Sequence, residues 1–580
     1  MAILGVDVGG TFTDAVLLAD GELRTAKVPT APRQEESVVA AARAVGAGEV
    51  ELERFTHGTT VATNALLERR GARTAFVATA GFEHLLHLRR QTRAHLYRLC
   101  AEHPEPLVPI ERCYGVRERI GPDGVVERLD LSTLPELEAE AVAVCLLFAF
   151  RDARHERAVA AELRRRMPHA RIVASHEISP EFREYERAST TAVDAYLGAV
   201  VSSYLDRLGE ACAVTGLAEP LVMRSSGGVA TLGEAAAHPA GVLISGPAAG
   251  VVGAARVAQD AGFAHAITLD MGGTSTDVCL IADGTAGRAA ERQVGGLPVR
   301  LPTVDLQTVG AGGGSVVWHD AGGALRAGPE SAGADPGPAC YGHGGTRPTV
   351  TDADLVLGRL PSTLAGGLRL DRDAAARALG DADPSDAVRA VNAEMLRAVR
   401  LVSVERGHDP RDCALVAFGG AGPLHACELA EELEIETVLV PSAAGVLSAL
   451  GLVASDERRD HVRSYLCPLA EAGRLPDVGE ADLRYLGQSF ELTVPLGPDL
   501  ADRFHQAHEE RYGYGDRDRL LELVAVRTSD VRKGPELELP PAGPLDVAGP
   551  AVVELDGATA WVPPGWVGVR DGPTLRLTRA

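Results

Sequence analysis

ILGVDVGGTFTDAVLL (residues 3–18) and AITLDMGGTSTDVCLI (residues 266–281) are two copies of one phrase, Asp-x-Gly-Gly-Thr-x-Thr-Asp, set between apolar runs. Each copy enters an aspartate from a strand-like run, passes a Gly-Gly pair and hydroxyl residues, meets a second aspartate and leaves through another apolar run. This is the pattern of a hairpin. Glycine removes the Cβ that would hold a phosphate away from backbone N–H groups. Gly9, Gly10, Gly272 and Gly273, with the hydroxyls of Thr11, Thr13, Thr274 and Thr276, therefore read as an anion grip. A carboxylate beside a phosphate is repelled unless a cation lies between them. Asp7 and Asp270 thus imply a divalent ion, Mg²⁺ held largely through water, and are the expected catalytic pair. Asp14 and Asp277 either join the ion's outer shell or cap the turns. One D-x-G-G alone is an ordinary turn. A second copy between two apolar strands argues for two turns that clamp the phosphates of one nucleotide.

A third element follows. Residues 413–440, CALVAFGGAGPLHACELAEELEIETVLV, run strand, glycine loop, amphipathic helix, strand. Nucleotides bind at the carboxyl end of a strand in such units, so Gly419, Gly420 and Gly422 are expected under adenine and ribose. Pro423 suits the first helical turn. The loop lacks the G-x-G-x-x-G spacing and the basic residue of a P-loop.

Composition excludes other classes. The chain has 580 residues and a net charge of −23, which repels a nucleic acid; no Lys/Arg run interleaved with aromatics is present. The first residues enter a strand at once, and no apolar run reaches about 18 residues, so no membrane role and a cytoplasmic location are expected. Nine cysteines without a C-x-x-C pair suit reduced thiols.

The expected organisation is α/β. Residues 1–80 open the first half, with a helix near 35–46. Residues 81–180 form an inserted α/β subdomain with a strand at 140–150, a helix at 151–167 and a strand at 170–176. Residues 181–460, starting with a long helix over about 181–214, form the second half. Residues 461–580 read as a small β-rich C-terminal domain, and the Gly/Pro-dense stretch 308–346 as an ordered loop.

Other residues invite chemistry. His57, Thr59, Thr60 and Asn64 surround the start of a helix and either face a phosphate or substrate or merely cap that helix. Ser245-Gly246-Pro247 opens another helix in the same way. His84 and His87 lie three apart without a third ligand in view. Cys340 has no basic partner that would activate it, so loop shaping is expected. Glu177, Glu181, Glu184 and Glu186 complement the dipole of the long helix.

The order of phosphate turns and adenosine loop resembles the actin, hexokinase and Hsp70 ATPase superfamily. Within it, HGTTVATNALLER (57–69), ISPEFREYERAST (178–190), SGPAAGVVGA (245–254), TVGAGGGSV (308–316), GADPGPACYG (333–342), PTVTDADLVLGRL (348–360) and AFGGAGPLHA (417–426) resemble the hydantoinase A and 5-oxoprolinase family. The resemblance implies a duplicated actin-like (ribonuclease H-like) ATPase core and ATP with Mg²⁺ as cofactors. It implies ATP-dependent opening of a cyclic amide, a hydantoin, 5-oxoproline or a lactam, by phosphorylation of the carbonyl oxygen. It also implies a hetero-oligomer with a separate hydantoinase B-like subunit, since the sequence holds only the A-like part. Two other readings stay open: a subunit of an acetone-type ketone carboxylase, and an actin- or Hsp70-like nucleotide switch.

Overall fold

The computed structural model describes residues 2–364, 367–535, 539, 541–570 and 572–580. Two large sheets repeat one strand order. In the first, Glu22–Pro29, Phe12–Ala19, Ala2–Val8, Arg54–Gly58 and Leu221–Met223 lie side by side. In the second, Leu306–Val309, Thr276–Ala282, Ala266–Met271, Ala414–Phe418 and Thr437–Pro441 take the same places. Within each set the first two pairings are antiparallel and the last two parallel. The parallel strands are buried on both faces, as in ALVAF at 414–418, which is why they read as unbroken apolar runs.

The two halves meet through the helices Ser245–Asp260 and Leu447–Ala454. Their contact is made by glycine. A Cβ on Gly451 would overlap the Ala249 carbonyl, and one on Gly5 would overlap the Ala449 carbonyl, so the second-half helix lies directly on strand Ala2–Val8. The helix of one half is thereby packed directly on the strand that leads into the first glycine-rich turn.

The inserted subdomain has a five-stranded sheet, ordered Gly124–Asp130, Cys113–Gly121, Thr74–Thr79, Ala141–Cys145 and Arg171–Ala174. Arg154–Arg166 is its main helix. Its central strand, Thr74–Thr79, precedes residue 80. The long helix Glu184–Thr215 packs against this subdomain and the first-half core, and strand Leu221–Met223 belongs to the first sheet. The first half therefore extends well past residue 181.

The expected separate C-terminal domain is divided instead. Glu457–Pro468, Leu521–Arg532, Glu480–Tyr485 and Leu492–Pro495 extend the first sheet beyond Val229–Ala230. Leu545–Ala548, Trp566–Arg570 and Thr574–Arg579 extend the second beyond Thr437–Pro441. Short apolar runs separated by prolines look the same whether they found a sheet or lengthen one. The stretch read as a loop, 308–346, contains the hairpin Ser315–His319 with Leu325–Ser331.

Candidate active site

The two phrases form matching hairpins. Asp7 stands opposite Asp14 and beside Gly58; Asp270 stands opposite Asp277 and beside Phe418. Each turn closes with the same bond, Gly9 N–H to Phe12 O at 2.9 Å and Gly272 N–H to Ser275 O at 3.0 Å. The turns are also held from behind. Thr30 donates its N–H to Thr11 O and its hydroxyl to Gly9 O, while the Gly313 and Gly314 N–H groups donate to Gly272 O and Gly273 O at 3.0 and 2.7 Å. With those carbonyls engaged, Gly10, Thr11, Gly273 and Thr274 are left as exposed tips.

Both catalytic candidates sit in seats made by glycine. A Cβ on Gly58 would overlap Asp7 Oδ1, and one on Gly246 would stand 3.2 and 3.3 Å from its two oxygens. A Cβ on Gly419, whose φ is +77°, would overlap Asp270 Oδ1. Burial pushes the Asp7 carboxyl up to about 7, with the Asp14 charge adding to the effect and Lys27 opposing it. Burial pushes Asp270 up to about 8, helped by the charges of Asp277, Asp7 and Asp14. The Asp7 and Asp14 charges of the first half thus act on Asp270 in the second.

Asp14 and Asp277 have partners of their own. Asp14 pairs with Lys27 at 2.5 Å, in register across the sheet. Asp277 accepts a hydrogen bond from Thr308, its own cross-strand neighbour, and feels Arg292. No motif announces Lys27 or Thr308; the register of the third strand in each half does.

The four threonines separate into two kinds. Thr11 and Thr274 are exposed, whereas Thr13 and Thr276 are fully buried, with their hydroxyls bonded to Thr30 Oγ1 at 3.0 Å and Ala311 O at 2.5 Å. Thr13 and Thr276 fix the turns rather than lining the open face.

The first residues of the HGTT segment are tied into the core. His57 is sealed, its Nδ1 on Val6 O at 3.0 Å and its Nε2 on the Tyr204 hydroxyl at 2.7 Å, and burial lowers its pKa to about 4. The sequence placed His57 with substrate or phosphate; with both ring nitrogens occupied inside the core, it is a neutral structural group. Thr59 is also buried. Its N–H donates to Ser245 Oγ at 3.1 Å, and Ser245 Oγ donates to Thr59 O at 2.8 Å, tying the two helix starts together. Thr60 and Asn64 remain partly exposed and bond each other. The helix starting at Ser245 ends its approach over Asp7, with Ile244 held at φ +59°, a costly position for a β-branched residue.

The third glycine loop, expected under adenine and ribose, lies against the second turn. Ala421 N–H donates to Met271 O at 3.0 Å, Gly419 N–H to Ala444 O at 3.0 Å, and a Cβ on Gly422 would stand 2.9 Å from Leu269 O. Gly420 is exposed beside them.

Two other candidates stay outside this cleft. His87 Nε2 bonds Val108 O, and His84 is exposed; among the described residues no group of three or more His, Cys, Asp or Glu side chains is placed to hold a metal. Cys340 is fully buried, its N–H donating to Asp352 Oδ1 at 2.8 Å, and burial raises its thiol pKa, so it shapes its loop.

A divalent cation fits the cleft through its charge. Asp7 Oδ1 is buried without a hydrogen-bond partner among the described residues, and the charges of Asp7 and Asp270 oppose each other when no cation is present. Asp7 and Asp270 are the residues that would hold Mg²⁺, with water and phosphate oxygens filling the remaining positions.

A duplicated five-strand order, facing glycine turns and a third glycine loop define an actin-like ATPase core. The crystal structure of the ATP-dependent caprolactamase from Pseudomonas jessenii superposes on the whole of this chain with a TM-score of 0.85 at 31% identity, covering 100% of both chains. Residues 3–167 match the hydantoinase/oxoprolinase N-terminal region and residues 187–461 match hydantoinase/oxoprolinase; the chain belongs to that family. It is 32% identical to the caprolactamase subunit alpha of Pseudomonas jessenii over 99% of each chain. It is 35% identical to the acetophenone carboxylase gamma subunit of Aromatoleum aromaticum, over 77% of this chain and 67% of that one.

Proposed function

We propose that this chain is the ATP-using subunit of an enzyme that opens a cyclic amide, working with a hydantoinase B-like partner in the cytoplasm. The observation that carries the reading is the unpartnered buried oxygen of Asp7 at the end of one glycine hairpin, with Asp270 at the matching place in the other. The full-length similarity to a caprolactamase subunit supports the amide as substrate class. The nine unpaired thiols suit a reducing compartment.

An unstrained amide carbonyl resists water because nitrogen donates into it. Transfer of the γ-phosphoryl group of ATP to that oxygen makes it a leaving group and exposes the carbon to attack. Such transfer needs positioning and charge neutralisation more than covalent help from the protein. Gly10, Thr11, Gly273 and Thr274 offer backbone N–H groups and hydroxyls to the phosphates from opposite sides. Asp7 and Asp270 are the residues that would hold Mg²⁺, which would neutralise phosphate charge when bound. Gly419, Gly420 and Gly422 let adenine and ribose lie close to the backbone. Thr60 and Asn64, at the rim, are the remaining HGTT-region groups open to substrate.

Phosphate release by the purified chain with Mg-ATP, with and without the co-expressed B-like chain, tests this against 5-oxoproline, hydantoins, lactams and small ketones plus bicarbonate. Stimulation by a cyclic amide is expected. The carboxylase relative favours a second reading, and stimulation by a ketone with bicarbonate alone would replace the amidase with it. No stimulation by any substrate, with or without the partner, would leave a nucleotide switch.

A further inference from the structure

Of the 57 lysine and arginine residues in the chain, two are lysines, Lys27 and Lys533. The Lys533 side chain is 86% exposed, beside Asp456. Lys27 belongs to the site. Where basic positions are otherwise filled by arginine, a lysine kept beside buried carboxylates marks a place that a planar guanidinium serves less well than a compact ammonium.

Strand register sets Lys27 in line with the aspartates. Lys27, Asp14, Asp7 and Gly58 stand opposite one another on four adjacent strands, and residues so placed share one face of the sheet. In the second sheet the same row reads Thr308, Asp277, Asp270 and Phe418, so a hydroxyl takes the place of the ammonium. The Lys27 side chain is 23% exposed, and its Nζ lies 5.5 Å from the centre of the Phe12 ring, next in the chain after Thr11 of the first turn. An ammonium has three N–H donors. One is used on Asp14, at 2.5 Å, and the others have no hydrogen-bond partner among the described residues. The charge of Lys27 acts on Asp7 and on Asp270, one from each half. The stem is packed as well: Lys27 Cε lies 3.2 Å from the place a Cβ on Gly557 would take, and the neighbouring Asp556 accepts a hydrogen bond from Thr25. Donors are thus left open on a cation whose stem and head are both held.

We propose that the Lys27 ammonium donates to a phosphate oxygen of bound ATP while it stays paired with Asp14. The proposal rests on the ATP-using reading given above and adds a contact that neither glycine phrase contains. The turns offer N–H groups and hydroxyls, which are dipoles. A polyphosphate that enters among Asp7, Asp14, Asp270 and Asp277 meets like charge, and a second cation beside the metal lowers that cost. A pair with Asp14 alone would be served equally by arginine, whose fork matches a carboxylate. The open donors and the choice of lysine are what that role leaves unexplained.

A chain with two lysines makes the test direct. The full-length protein is acetylated with a limiting amine-reactive reagent, with and without Mg-ATP, and labelling at Lys27 and Lys533 is read by peptide mass spectrometry. Mg-ATP at about ten times its dissociation constant is expected to slow labelling of Lys27 about tenfold, by mass action, and to leave Lys533 unchanged. Calorimetry then compares Mg-ATP binding by the unmodified chain, Lys27→Gln, Lys27→Arg and, as a control, Lys533→Arg. Lys27→Gln, whose amide still reaches Asp14 as a donor, is expected to bind about 10- to 100-fold more weakly, the loss of one hydrogen bond to a charged group. Lys27→Arg keeps the charge and the pair with Asp14, and is expected to melt as the unmodified chain does while binding about tenfold more weakly. The control should bind normally. Full affinity in Lys27→Arg with loss in Lys27→Gln would still support the phosphate contact and would assign it to charge alone. If the unmodified chain binds Mg-ATP and both Lys27 variants bind it as tightly, whether or not Lys27 is protected, the proposal is wrong while the ATP-using reading stands. Unchanged labelling of Lys27 on saturation with Mg-ATP would overturn it in the same way. If the unmodified chain does not bind Mg-ATP at all, that reading fails and takes the Lys27 contact with it.

Discussion

Gly58 lies in register beside Asp7 on the adjoining parallel strand, and the space left by its missing side chain is where the Asp7 carboxylate rests. Gly58→Ala is therefore expected to turn that carboxylate out of its seat. Overpacking here should cost about 1–3 kcal/mol of stability, and Mg-ATP turnover should fall by at least about 100-fold, as for a misplaced reacting group. Steady-state phosphate release and urea unfolding measure the two effects. Unchanged turnover would mean that Gly58 does not set the position of Asp7.

Asp270→Asn should separate activity from stability. Its carboxyl is buried among Asp277, Asp7 and Asp14, so its charge is costly in the unliganded protein. The neutral amide should abolish Mg-ATP turnover while raising the melting temperature of the unliganded chain, the trade expected where a site is strained for function. A variant that keeps its ATP hydrolysis would remove Asp270 from the site.

His57 gives the fold an acid limit. Its pKa is about 4 when folded and about 6.5 when unfolded, so between those values the unfolded chain binds the extra proton. Stability from this group is complete above about pH 6.5 and is lost as pH falls toward 4, by about 3 kcal/mol in all. His57→Gln should flatten that limb of the stability curve. A limb of the same slope in the variant would place the proton elsewhere.

The tie between Thr59 and Ser245 should be visible in the same assay. Ser245→Ala leaves a buried N–H and carbonyl of Thr59 without their partner, which should cost about 1–3 kcal/mol. Because the tie holds two segments against Asp7, ATP hydrolysis should fall with it. Loss of stability with full activity would confine Ser245 to the fold.

A buried ion cluster joins distant parts of the chain. Glu181 receives Arg527 and Arg300, and Arg527 also reaches Asp482 at 2.9 Å. Glu181→Gln strips the charge that faces two buried guanidinium groups and should destabilise by about 3–5 kcal/mol. Denaturant unfolding at neutral pH measures it. A loss below about 1 kcal/mol would show that solvent screens the cluster.

The duplicated phrase made the two hairpins and the places of their aspartates legible, because the spacing of Asp, Gly and Thr is itself the geometry of the turn. The helices near 35–46, 151–167 and 181–214 were legible from their periodicity, and the structure has them at Gln34–Ala44, Arg154–Arg166 and Glu184–Thr215. What seats Asp7 was hidden. Gly58 and Gly246 touch it from a strand and a helix far apart in sequence, and no local pattern distinguishes a glycine that faces a carboxylate from one that only turns the chain. His57 misled because a histidine beside glycine and threonine reads as chemistry, while its burial depends on Tyr204 on the long helix. The strands after residue 457 were visible as strands, but their neighbours depend on long-range pairing, for which Val229 opposite Glu457 is the joint.

The course of the chain between its sheets has a mechanical meaning. It builds the first sheet, then the second, returns to the first with residues 457–532 and ends in the second with residues 545–579. The halves are laced rather than beaded, so neither can be peeled off by cutting one connection. Strand Ala2–Val8 and strand Thr574–Arg579 consequently belong to different sheets. A pair of fluorophores attached near those two strands would act as a caliper between the sheets, reporting any change in their spacing on addition of Mg-ATP without a label near the glycine turns.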